Sequence, residues 1–403
     1  MVSLIVAGAT GAIGRAVVQC AIRQPSIDCV VALTRFTNTA ASNFESLFGI
    51  IIAEEAGDTG SCSEDAHRKK RKGGVSGAGT VTATPAEAAK IKPITMDWEE
   101  FTQQWVAKRS RTSAAASGAC NSAADPAASA VSDPTVRYRD IFSGHTYAAM
   151  CLGTTRKDAG SAKNFMRCDY DYVMAFTEAV LTYSAPAGLS PDKAFVHHIG
   201  DEGVSKQAHV QEGMDKEVGA LADVNNNAAQ SSGTLRAFCQ VSASNASSNS
   251  WFLYMKTKGI ADESTVERVH QHNKLAAAAA ALTPVNLLLL QPGLLERHGK
   301  TRGTEQVAKL FMSSIPVETC GAAIVSACKS LPIEQAGQDE VEGAQVENRS
   351  IAAAAGVGKM PLARPYVAAK ALRTAGMTSN EPLPYIYVAN NVVIKNLASR
   401  LTA

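Results

Sequence analysis

Residues 2–22 read VSLIVAGATGAIGRAVVQCAI, and a change of period inside that stretch sets the class of architecture. Val2–Ala7 is a short apolar run, the mark of a strand covered on both faces. Gly8, Gly11 and Gly14 then recur at intervals of three, and after them Ile13, Ala16, Val17, Cys20 and Ala21 follow a helical spacing. Strand, glycine turn and helix in that order put the turn at the carboxyl end of the strand. Glycine is needed there for a tight bend, for close approach of backbone to a bound group, and for packing the helix near the strand. The helix start beside it, from Thr10 through Ala12 and Ile13, turns unpaired N–H groups and the positive end of a dipole toward an anion such as a pyrophosphate.

Outward from this unit the same grammar repeats. Cys29–Thr34 is a second apolar run rich in β-branched residues and closes the first βαβ. Ile91–Met96, Tyr147–Leu152, Leu235–Ser242 and Val285–Gln291 read as further strands, and Tyr385–Val393 as a last one. Ala194–Ile199 is an additional strand candidate. Phe165, Tyr172, Phe176 and Val180 mark an amphipathic helix. Strands alternating with helices predict an α/β fold, a Rossmann-type doubly wound parallel sheet. Between these elements lie stretches of alanine, serine and glycine such as Gly73–Thr84, Ala114–Ala130 and Asn225–Thr234. They hold too few large apolar side chains to offset the entropy of ordering. The expected organisation is one nucleotide-binding domain over residues 1–403 with long disordered insertions at 37–90, 107–140, 183–234 and 331–383.

With 46% apolar and 19% charged residues and a net charge of +2, nothing in the balance calls for nucleic acid as a partner. The nine cysteines are scattered, with no CxxC and no histidines at ligand spacing, so reduced thiols are expected and no metal site. Leu275–Leu290 is the longest apolar tract, but Thr283, Pro284 and Asn286 interrupt it, and no membrane span is expected. A strand that starts at Val2 leaves no room for a presequence, so the expected location is cytoplasmic. Nuclear import through the basic run Arg68–Lys72, or mitochondrial association, stays open.

Two further constellations carry chemistry. At the end of the second strand, where an acidic residue would bond the adenosine 2′-hydroxyl of NAD, the sequence has Thr34 and Arg35, and a cation there suits the 2′-phosphate of NADP. The other is Tyr254-x-x-x-Lys258, which a helix brings onto one face. The ammonium favours tyrosinate, which fits the phenol to pass a proton to a carbonyl oxygen while a hydride arrives at carbon. Ser242 lies twelve residues before Tyr254 at a strand end, placed to bond a substrate oxygen. Tyr366 and Lys370 repeat the spacing, but Ala354 stands where a serine would be needed, so that pair is expected to be structural.

The blocks AGATGAIGRAVV, CLGTTRKDAGSAKNF with RCDYDYV, VSAS with SSNSWFLYMKTKG, QPGLLERHGKTRGTE and IPVET, in this order, resemble the atypical short-chain dehydrogenases/reductases grouped with the human Tat-interacting protein. The insertions lie outside the resemblance. It implies a Rossmann fold and NADP(H) held by the glycine loop, Arg35, the CLGTT turn and the Tyr–Lys pair. Leu152, Gly153, Thr154 and Thr155 would line the adenosine and ribose side, Tyr254 and Lys258 would contact the nicotinamide ribose, and Pro292, Gly293 and Leu294 would close on the nicotinamide ring. The family usually has arginine where Gln291 stands, and often a second serine where Ala243 follows Ser242. The function expected is an NADP(H)-dependent oxidoreductase acting on an unidentified carbonyl or alcohol. The alternative is an NADPH-binding regulatory or scaffold protein that acts through protein partners without turnover.

Overall fold

A computed structural model describes residues 1–53, 79–116, 135–184, 234–278, 282–296, 313–330, 364–367 and 382–402. The first unit forms as its periodicity requires, with strand β1 (Ser3–Ala7), helix α1 (Ala12–Ile22) and strand β2 (Cys29–Thr34). Every residue of both strands is buried, which is why neither run alternates with polar residues. β3 (Ile91–Thr95), β4 (Tyr147–Met150), β5 (Ala237–Val241) and β6 (Asn286–Leu290) follow, and then β7 (Arg364–Val367) and β8 (Pro382–Ala389).

Across the sheet the strand order is β7-β8-β6-β5-β4-β1-β2-β3. Each neighbouring pair is parallel apart from β7 against β8. The order reverses at β1, where Ala7 stands opposite Leu33 on one side and Met150 on the other. This is the Rossmann-type, doubly wound α/β fold, and its switch point, the crevice outside the ends of β1 and β4, is where such sheets bind ligands.

The residues of β1 divide between two cores with the period of a strand. Leu4 and Val6 pack with α1, α5 (Val317–Ser330) and α6 (Asn391–Thr402). Ile5 and Ala7 pack with α2 (Trp98–Ala116), α3 (Tyr172–Ser184) and α4 (Leu253–Ala278).

Several boundaries differ from the sequence reading. The ends of the stretch 37–90 are built into the first core: short helices Phe44–Phe48 and Pro85–Ala89 and the paired strands Ile50–Ile52 and Val81–Ala83 bury Phe44, Leu47, Phe48, Ala83 and Ala88. Helix α2 runs on to Ala116, and before β4 Phe142 stacks on Phe101 while Tyr138 meets the same ring edge-on. Val392 and Val393 open α6 instead of extending a strand, because Asn390 Oδ1 accepts both of their N–H groups, at 3.1 and 3.2 Å, and caps the helix. Ala194–Ile199, Arg68–Lys72 and residues 117–130 and 225–233 lie outside the described residues.

Candidate active site

Because β1, β2, β4, β5, β6 and β8 are parallel, the segments that leave their carboxyl ends all emerge on one edge of the sheet. Those segments begin with Gly8, Arg35, Cys151, Ser242, Gln291 and Asn390.

The glycine turn is fixed by sterics. Gly8 has φ +73°, and a Cβ there would sit 2.8 Å from the backbone nitrogen of Leu152. A Cβ on Gly14 would lie 2.1 Å from the Gly8 carbonyl oxygen. Gly11 is the N-cap of α1; no side chain caps the helix and no carboxylate stands in its first turn, where Ala12 and Ile13 begin it. Thr10 turns its carbonyl to Arg15 Nε at 3.0 Å. An uncapped helix start, reached only past glycine backbone and free of negative charge, fits the pyrophosphate of a dinucleotide.

The turn after β4 completes this side. Cys151 N–H donates to the Ala7 carbonyl at 3.0 Å, and Leu152 packs on the second core. Thr154 N–H donates to Asp169 Oδ2 at 2.9 Å. Thr155 caps the short helix Arg156–Ala159, accepting from Asp158 N–H and donating to its carboxylate at 2.7 Å.

Asp169 sits fully buried in a turn of π-helix, Arg167–Asp171, just before α3. Such widened turns recur at functional sites. Its Oδ1 lies 2.9 Å from Lys258 Nζ, and both side chains are buried. A Cβ on Gly153 would come within 3.4 Å of that ammonium, so the glycine leaves room for it. Burial works against the Lys258 charge, but Asp169, followed by Tyr254, outweighs it and holds the ammonium above its ordinary value. Tyr254 is one turn earlier on α4, 40% exposed, with its ring 5.8 Å from that of Phe165. Its hydroxyl has no hydrogen-bond partner among the described residues.

Ser242 is placed differently. It is 4% exposed, and its hydroxyl donates inward to Asp262 Oδ2 at 2.6 Å. The structure therefore brings together the glycine turn, Gly153, Thr154 and Lys258, with Tyr254 one helical turn away, and turns Ser242 to a partner that no sequence pattern singles out. Beyond β6, Pro292 is buried and Gly293 N–H donates to Asn391 Oδ1 at 2.9 Å. Leu294 opens a short strand paired with Ser314–Pro316. A cleft of about 380 Å³ lies here, with Ser244, Asn245, Gln291, Gly293, Asn390 and Val392 in its wall.

Arg35 is exposed just past β2. Its charge reaches the π-turn, where burial pushes the Cys168 thiol up and Arg35 offsets part of that rise. Tyr366 stands on β7, so helical spacing does not apply to it. Asp169, Asp262 and Gln240 are invisible to sequence reasoning. Asp169 falls inside the RCDYDYV block, but nothing in the pattern separates it from Asp171. Among the described residues there is no cluster of histidine, cysteine, aspartate or glutamate able to hold a metal ion, and no helix is long and apolar enough to cross a membrane.

No family model and no curated protein matches the sequence. Solved structures similar to this chain include UDP-glucuronic acid 4-epimerase from Bacillus cereus in complex with NAD, 9% identical over 99% of this chain and 90% of that one, with a TM-score of 0.38. Yeast methylglyoxal/isovaleraldehyde reductase Gre2 complexed with NADPH is 10% identical over 81% and 73%, with a TM-score of 0.37. UDP-glucose 4-epimerase from Thermotoga maritima with UDP-glucose is 10% identical over 81% and 72%, with a TM-score of 0.35. Likenesses at this level decide nothing about activity or cofactor, and the fold rests on strand order and register.

Proposed function

We propose that this chain is an NADP(H)-dependent oxidoreductase of the short-chain dehydrogenase type, acting on a carbonyl or alcohol. The observation that carries the reading is the position of Lys258. Its buried ammonium stands between Asp169 and the Gly153–Thr154 turn, on the helix that presents Tyr254, at the sheet edge where the glycine turn opens. When bound, the nicotinamide supplies or accepts the hydride. Glycine backbone at positions 8, 11 and 14 and the start of α1 would hold the pyrophosphate, and Arg35 would bond the 2′-phosphate. Lys258, oriented by Asp169, bonds the ribose hydroxyls and steadies negative charge on the Tyr254 oxygen. Tyr254 gives its proton to the substrate oxygen as the carbonyl carbon is reduced, and takes it back in the reverse direction. Pro292, Gly293 and Leu294 would border the nicotinamide, and the substrate would occupy the neighbouring cleft.

The inward hydrogen bond of Ser242 favours a second reading, a protein that holds NADPH and acts through partners without turnover. The two readings separate on a cofactor titration followed by a carbonyl panel at saturating NADPH. Tyr254→Phe should keep NADPH affinity within a few-fold and lower turnover by about 10²–10⁴, the range for loss of a general acid. Full activity in Tyr254→Phe would end the catalytic assignment, and NADPH binding with no turnover across the panel would favour the second reading.

A further inference from the structure

One buried carboxylate has no role in the proposed hydride and proton transfers. Asp262 lies on α4 one turn beyond Lys258, 3% exposed, beneath the ends of β5 and β6. Its Oδ1 accepts from Gln240 Nε2 at 2.9 Å, and its Oδ2 accepts from Ser242 Oγ at 2.6 Å and from Gln291 Nε2 at 3.3 Å. The Gln240 amide is oriented from behind. Thr265 Oγ1 donates to Gln240 Oε1 at 2.8 Å, so the amide of Gln240 presents its NH₂ group to Asp262. With the carboxyl ionised all three groups donate to it, and the 2.6 Å Ser242 bond lies in the range of a hydroxyl on a carboxylate. Ser242 owns a single proton, and that proton is committed to Asp262.

We propose that Asp262 is a positioning residue that sets the polarity of Ser242. Ionised, it takes the serine proton and leaves Ser242 Oγ only lone pairs, so that oxygen receives a hydroxyl group but not a carbonyl. When Asp262 gains a proton from solvent, the bond reverses: the carboxylic acid donates to Ser242 Oγ, and the serine proton is free for a carbonyl oxygen. The statement about ligand polarity rests on Ser242 being the substrate contact; the reversal itself does not.

The groups facing Asp262 are Lys258 on its own helix and the neutral Ser242, Gln240 and Gln291 from the ends of β5 and β6. Burial, only partly offset by the hydrogen bonds from Ser242 and Gln240, by Lys258 and by Gln291, leaves its carboxyl raised from 3.8 to about 6. The reversal therefore falls near pH 6.

Infrared difference titration of the full chain, without cofactor, reads this directly. Between about pH 8 and about pH 5 the carbonyl stretch of one buried carboxylic acid should grow in as the carboxylate band fades. Asp262→Asn should lack that band. Ser242→Ala, which removes a donor to the charged form, should move the midpoint up by about one pH unit, and Ser242→Thr should return it. If Asp262→Asn does not fold, the Ser242 pair alone decides. A band that survives Asp262→Asn, or a midpoint indifferent to Ser242→Ala, overturns the proposal. A titration as described with no turnover on any carbonyl keeps the Asp262 device and ends the oxidoreductase reading; turnover with no such titration does the opposite.

Discussion

The two sides of the crevice are made of different material. Around β1 and β4 the wall is backbone: Gly8 and Gly14 bring main chain against main chain at distances that admit no Cβ, and Gly153 lies against the Lys258 ammonium. Around β5 and β6 the wall is side chain, with Ser242, Gln240 and Gln291 gathered on Asp262 and Thr265 bonded to Gln240 behind them. A steric wall has one shape in every condition, whereas a hydrogen-bonded one changes when a proton is gained or lost. On the proposed reading, the rigid side holds the constant part of the reaction, the dinucleotide, and the adjustable side meets the substrate. Lys258 joins them, paired to Asp169 on the first side and close enough to Asp262 on the second to feel its charge.

Removing that joint should have the largest effect on stability. Lys258→Met leaves the buried Asp169 carboxylate with only the Thr154 N–H, and breaking a buried pair from one end costs about 3–5 kcal/mol. Removing the charge at both ends, in Lys258→Met with Asp169→Leu, should recover a large part of the loss, and a denaturant double-mutant cycle measures it. Additive losses would mean that the pair does not couple.

The steric side can be tested through a contrast between glycines. In Gly14→Ala the new methyl meets the Gly8 carbonyl oxygen at 2.1 Å, and backbone has to move, which costs about 2–3 kcal/mol and disturbs the turn itself. Gly144 has positive φ, +77°, as Gly8 does, but nothing lies within 4 Å of its missing Cβ. Gly144→Ala should therefore cost only about 1 kcal/mol of backbone strain. The check is urea denaturation of both variants together with NADPH titration; affinity should fall in the first and hold in the second. Equal behaviour would mean that the glycine turn is not a close-packed cradle.

Legibility in the sequence divides along the same line. Steric requirements leave a trace at fixed spacing, so Gly8, Gly11 and Gly14 announce the turn, and the buried runs at Val2–Ala7 and Cys29–Thr34 announce the strands around it. Lys258 and Tyr254 are visible because a helix turns a spacing of four into a shared face. Asp169 and Asp262 are not, since their partners come from other elements: Asp169 pairs with Lys258 through a π-turn no local pattern signals, and Asp262 collects donors 20 to 29 residues away in sequence. Ser242 shows the cost of that blindness. Its position at a strand end is legible, but the direction of its hydroxyl depends on a residue on another element. The first insertion is narrower than its composition suggests for a related reason, because Phe44, Leu47 and Phe48 pack against α1 in stretches too short to show a period.

Arg35 offers the smallest effect and the sharpest discrimination, because it belongs to neither wall. It stands exposed beyond β2, with no carboxylate at that strand end to hold an adenosine 2′-hydroxyl, and its field already reaches the π-turn at Cys168. If the backbone side binds what NAD and NADP share, then only a group such as Arg35 distinguishes the two, and it does so through the 2′-phosphate. The parent should bind NADPH more tightly than NADH, and Arg35→Ala should lower NADPH affinity by about tenfold to a hundredfold, the range of a hydrogen bond to a charged group, with NADH affinity unchanged. Because Arg35 is solvent-exposed, the preference should weaken as salt is raised. Titration by nicotinamide fluorescence at two ionic strengths measures both. Equal affinities in the parent would remove NADP as the preferred cofactor, and a matching loss for NADH in Arg35→Ala would place this side chain on the shared pyrophosphate instead.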